Sequence, residues 1–215
     1  MSLAYTNDSA KPVSYGLSAV VFAAGPGAQY NHSFSSPFVI VQAETKQKLI
    51  DGLDGNYRAY FWRTGQGVNF DQSVAKHAGW GFNLDQRIGD AYTLFARYGK
   101  ETTGQVQFDR TTTAGVEVGG TYGGRAADAL GLAYGDLRTS SDFRNQSATL
   151  DADSDGQPDF GYQAQGSEQL VEVYYRLRIH KQFELSPDFQ YIRHPGGNRE
   201  QTSMKVLGLR AQVNF

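Results

Sequence analysis

The strongest constraint on this chain is the alternation of apolar and polar side chains along residues 169–215. Over residues 206–215, Leu207, Leu209, Ala211, Val213 and Phe215 share one face, and Gly208, Arg210, Gln212 and Asn214 share the other. A period of two is the mark of a strand with one apolar and one wet face. Residues 170–180 repeat it, with Val171, Val173, Tyr175, Leu177 and Ile179 opposite Glu172, Tyr174, Arg176, Arg178 and His180. Residues 182–193 set Phe183, Leu185, Pro187, Phe189 and Tyr191 against Glu184, Ser186, Asp188 and Gln190. A final strand ending on an aromatic reads as the closing strand of an outer-membrane β-barrel, with lipid on one face and a watery lumen on the other.

A soluble sandwich gives the same alternation with its apolar face inside. Two features favour the membrane. The pattern recurs over segments of about ten residues, the length that crosses a bilayer when tilted. The polar faces also carry Arg and Glu in quantity, as a wet lumen requires.

Composition agrees. No apolar run approaches the roughly 18 residues of a transmembrane helix, and the longest, residues 19–24, is far shorter. A barrel shows lipid only every second residue, so a water-soluble mean hydropathy does not argue against it. The 25 Gly, 13 Tyr and 13 Phe suit many strands, tight turns and interfacial aromatic girdles. A net charge of −2 gives no support for nucleic acid as a partner. The absence of Cys removes disulfide frameworks and Cys-ligated metals. The opening residues lack the basic and apolar regions of a signal peptide. An exported protein is expected to have lost its signal, unless these residues are cut from a longer chain.

Along the chain, residues 1–14 read as a loose lead-in and residues 15–215 as one all-β, antiparallel up-and-down barrel domain of about ten strands without a helix. Gly25-Pro26-Gly27, Asp51-Gly52, Asp54-Gly55 and Gly89-Asp90 are turn signals. Residues 65–73 and 139–167 read as polar connections, the second the longest. In residues 128–138 one face is Ala129, Gly131, Ala133 and Gly135, small enough for a second wall or a plug to approach.

Several phrases resemble the carbohydrate-selective outer-membrane porins, the OprB-like family. They include Asn56-Tyr57-Arg58-Ala59-Tyr60-Phe61-Trp62, Phe95-Ala96-Arg97-Tyr98-Gly99, Gly124-Arg125-Ala126-Ala127-Asp128 and Glu172-Val173-Tyr174-Tyr175-Arg176. The most specific is Gln190-Tyr191-Ile192 followed by Pro195-Gly196-Gly197-Asn198. The resemblance covers residues 37–215. It implies passive uptake of mono- or oligosaccharides through the outer membrane of a Gram-negative bacterium, with no enzymatic step. Family members are about twice as long and look like barrels of about sixteen strands, so the chain resembles their C-terminal part. A homotrimer or a missing N-terminal half are the partners this implies, with outer-membrane lipid around the wall.

Alternation places Arg58, Tyr60, Trp62, Arg97, Glu117, Glu172, Tyr174, Arg176, Arg178, Asp188 and Arg210 on lumen faces. Arg offers five donors and a fixed charge, and aromatic faces suit the C–H surfaces of sugars. Rings of charge set selectivity in such pores. The competing reading is a self-neutralising network that only holds the wall. Asp151, Asp153, Asp155 and Asp159, with Gly156, match the first part of an EF-hand-type loop. Tyr162 stands where the bidentate Glu would be, so the expectation is at most weak Ca²⁺ binding, against a solvated acidic turn. No other cofactor is expected. Two further classes stay open: an outer-membrane enzyme using a pair such as His77 with Asp85 or His180 with Asp188, and a soluble or structural barrel with no open pore, which would turn Leu209, Val213, Val173 and Leu185 inward.

Overall fold

The computed structural model describes residues 2–7, 13–24, 36–50 and 52–213. The turn read at Gly25-Pro26-Gly27 and the terminal Asn214 and Phe215 lie outside them. The described residues form eleven strands: β1 (Ser2–Thr6), β2 (Val13–Phe22), β3 (Phe38–Ile50), β4 (Leu53–Val68), β5 (Val74–Ile88), β6 (Tyr92–Thr103), β7 (Phe108–Gly119), β8 (Ala129–Thr139), β9 (Ser167–His180), β10 (Phe183–Arg193) and β11 (Met204–Val213). A short helix, α1 (Ser141–Gln146), lies between β8 and β9. Each strand pairs with its sequence neighbours in a single sheet, and every pairing is antiparallel.

Expectation and structure differ in four places. Ser2–Thr6 is not loose: it pairs with residues 16–20 of β2, which makes the eleventh strand. Asp54-Gly55 is not a turn. Gly55 sits inside β4, and the side chain of Gln86 opposite takes up the space of its missing Cβ. The turn falls at the earlier signal, where Gly52 has φ +70°. The connections 65–73 and 139–167 are not simply polar, since they bury the apolar cluster described below. α1 is the helix that alternation could not reveal. Its N-cap Ser140 accepts a bond from the Phe143 amide at 3.0 Å.

The two faces of the sheet are unlike. On β4, Ala59, Phe61 and Arg63 are exposed, whereas Arg58, Tyr60 and Trp62 are half-buried. The polar face is thus the less accessible one, and the sheet curls around it. The convex face leaves Leu209 69% and Val213 63% exposed, with Phe61, Trp80, Leu132 and Val173 beside them. Each such side chain left in water forgoes roughly 1.5–3 kcal/mol. That orientation contradicts a soluble barrel with these residues inside and fits a wall bathed in lipid. Tyr92, Tyr122 and Tyr175 extend the band towards one rim, as interfacial aromatics do.

The rims differ as well. One carries the turn at Gly52 and the connections 89–91, 120–128 and 181–182. The other carries 69–73, 104–107, 140–166 and 194–203. The hydrophobic core cluster lies at this second rim. Phe143, fully buried, packs edge-on against Phe70 at 5.4 Å and Phe160 at 4.8 Å, with Ala164, Leu150 and Tyr162 around them. The cluster ties the 69–73 loop to the 140–166 loop as a cap. Phe143→Ala is expected to cost the cap about 3–5 kcal/mol. Limited proteolysis of refolded protein should then cut within residues 140–166 while the wall stays protected.

Candidate pore-lining site

The concave face carries its charges in ordered sets. Glu44 on β3, Arg58 on β4, Asp85 on β5 and Arg97 on β6 alternate in sign across four strands. Arg58 Nε lies 2.7 Å from Glu44 and its Nη1 3.5 Å from Asp85. Arg97 Nη2 lies 2.5 Å from Asp85, and its Nη1 donates to the Leu84 carbonyl at 2.6 Å. Arg97 also stands 5.5 Å over the Phe95 ring. Half-exposed pairs of this kind contribute only about 0–1 kcal/mol each. Their effect is to hold the guanidinium groups in place against the wall.

Glu117 on β7 reaches across β8 to β9. It accepts from the Tyr174 hydroxyl at 2.6 Å and from Arg176 Nη2 at 2.8 Å. The small face of β8 makes this possible. A Cβ on Gly131 would stand 2.1 Å from the Tyr174 ring. On the small face read as an approach surface for a second wall or a plug, Gly131 makes room for a ring of the same wall.

The same device recurs. Tyr60 is directly opposite Gly81, Trp62 opposite Gly79 and Phe95 opposite Gly115. In each pair the aromatic side chain takes up the space a Cβ would need. Cross-strand aromatic–glycine pairing shields the backbone and keeps the ring close to the sheet.

Five of the residues expected in the lumen line one recess of about 290 Å³: Glu172, Tyr174, Arg176, Asp188 and Arg210, together with Glu184. Arg178 Nη2 is held at 2.8 Å by Glu184. Arg210 stands exposed opposite Ser186. Arg58 and Arg97 lie apart from this recess but meet through Asp85. Trp62 stacks on Phe38 at 6.1 Å, and Phe38 on Phe22 at 4.7 Å. Sequence reasoning did not pair Arg58 and Arg97 with Glu44 and Asp85, or Arg178 with Glu184, because partnership depends on register.

His77 is buried and does meet an acid, but Glu101 rather than Asp85, at 2.6 Å from Nδ1. Its Nε2 is 2.9 Å from Asn69 Oδ1. Both ring nitrogens are therefore engaged in tying the rim. His180 is exposed, and its Nδ1 accepts from the Gln182 amide at 3.4 Å. The carboxylates of Asp151, Asp153 and Asp155 come within 4.8 Å of one another. Asp151 accepts from the Asp155 and Gly156 amides, Asp155 from Gln157, and Asp159 from Ala152. Asp153 accepts from the Asp155 amide as well, so backbone amides donate to all four carboxylates of this turn.

A curled antiparallel wall, apolar outside and charged inside, defines a porin-type β-barrel protein. The chain belongs to the carbohydrate-selective porin, OprB family, whose sequence profile matches residues 4–215. It is similar to Porin B of Pseudomonas aeruginosa, 27% identical over 160 residues, which cover 69% of this chain and 35% of that protein. Its fold is similar to that of Pseudomonas putida OprB in a high-pH structure, with a TM-score of 0.75 and 20% identity over 100% of this chain and 58% of that one. The chain thus spans about a third of the curated relative and under two thirds of the solved porin. The family is one of channels and not of enzymes.

At the rim of short turns, Asp128 accepts from Arg125 Nε, from the Tyr175 hydroxyl at 2.5 Å and from the Arg178 amide at 3.0 Å. The Arg125 guanidinium and the Tyr175 hydroxyl hold its carboxyl well below the usual carboxylate range. A lowered folded pKa gives stability that is present above the unfolded value and lost as pH falls through the folded one. The stability difference between the native chain and Asp128→Asn should therefore stay constant from pH 7 to about 4 and shrink only in stronger acid. Urea unfolding in lipid vesicles across that range checks it.

Proposed function

We propose that this chain forms part of the wall of an outer-membrane pore through which sugars diffuse passively in a Gram-negative bacterium. The carrying observation is the concave recess that gathers Glu172, Tyr174, Arg176, Asp188 and Arg210. It offers donors, acceptors and an aromatic ring on one water-facing surface. A sugar trades bulk water for brief contacts with these groups, which must be weak enough to release it. The rim with the 140–166 loop faces outward and the rim of short turns faces the periplasm, as in other barrels of this kind.

The sheet supports a further part of this reading. Among the described residues, eleven antiparallel strands leave β1 and β11 running in the same direction. Pairing them with each other would create a parallel seam, and so would pairing with a second copy inserted the same way. Bacterial porins close with an even number of antiparallel strands. Antiparallel closure therefore needs an odd number of further strands, on this polypeptide or another.

Liposome swelling tests the pore. Refolded protein in its closed barrel is expected to admit glucose faster than sucrose. Arg176→Ala should weaken sugar block of single-channel current about tenfold, equal to about 1.4 kcal/mol, with ion current retained. Sealed liposomes around a well-folded closed barrel would overturn the proposal.

A further inference from the structure

We infer a second sugar subsite, nearer the outer rim than the recess above. It is a hollow of about 160 Å³ whose lining includes Tyr60, Trp62, Gly99, Glu101, Asp109 and Thr111. It rests on the reading of this chain as a sugar pore. Drug-sized ligands fill roughly 300–1,000 Å³, so this hollow suits a single sugar ring.

Its chemistry fits that occupant. Gly99 leaves the space above it open: nothing lies within 4 Å of where its Cβ would be. Beside this gap stand Tyr60 and Trp62, each seated over its partner glycine, at 2.3 Å and 2.9 Å from a notional Cβ on Gly81 and Gly79. Trp62 is fixed further by its nearly parallel stack on Phe38, with 7° between the planes. Aromatic rings held in this way offer apolar surface for the C–H face of a pyranose. The acids supply acceptors for its hydroxyls. Glu101 is anchored by His77, and Asp109 by Lys100.

The test uses the two tryptophans, Trp62 and Trp80. Trp80 also borders the hollow, and Phe keeps an aromatic ring there, so in a Trp80→Phe background Trp62 alone reports. Refolded protein is titrated with glucose, with open-chain sorbitol as the control. A saturable change in Trp62 emission with glucose and none with sorbitol is expected. Adding Gly99→Val should weaken the glucose response at least tenfold. That variant fills the hollow at a strand position with open space around it, so the fold should survive, as heat-modifiable gel mobility would show. An unchanged emission in folded protein, or a glucose response that ignores Gly99→Val, overturns the subsite. Glucose entry into liposomes is measured on the same preparation. Entry with a silent Trp62 removes the subsite and leaves the pore; a Trp62 response without entry removes the pore and leaves the subsite.

Discussion

Everything in this protein depends on one requirement: backbone amides and carbonyls placed in lipid must find partners within the protein. Each one left unpaired in hydrocarbon costs several kcal/mol. The continuous antiparallel ladder meets that requirement for every strand between the two edges, β1 and β11. It also dictates the side-chain pattern. Once a sheet is paired, every second residue faces lipid and the rest face water. Placing an Arg on the lipid face near the midplane would cost about 2–4 kcal/mol. So Arg58, Arg97 and Arg176 all stand on the concave side, with the acids that hold them.

The wall itself has little core. The buried apolar cluster sits in the loops, around Phe143. The wall is organised instead by short-range fitting of large residues over small ones. Gly81, Gly79, Gly115 and Gly131 receive Tyr60, Trp62, Phe95 and Tyr174. That fitting keeps rings close to the sheet. It also lets Glu117 reach past β8 to Tyr174 and Arg176. The pore proposed above needs both: rings held back against the wall and polar groups held in fixed places.

Much of this could be read from the chain. Alternation assigned the correct face to Arg58, Arg97, Glu117, Tyr174 and Arg176, because a period of two is a local property. Register is not local, so the pairing of Arg58 with both Glu44 and Asp85 could not be seen. Nor could the bridge from Glu117 across β8. β1 escaped notice because Ser2–Thr6 is too short to show a period. The cap escaped because Phe70, Phe143 and Phe160 are single aromatics scattered through polar segments, and only folding brings them together.

In the proposed pore the apolar face meets lipid and the charged face meets water. The chain has no cysteine, so spin labels can be placed one at a time. The most direct measurement labels single cysteines at positions 170–177 of β9 in reconstituted vesicles. Collision with oxygen reports lipid, and collision with a water-soluble nickel chelate reports the lumen. Oxygen access is expected to peak at 171, 173, 175 and 177 and nickel access at 170, 172, 174 and 176. The opposite phase, or access without a period of two, would contradict the claim.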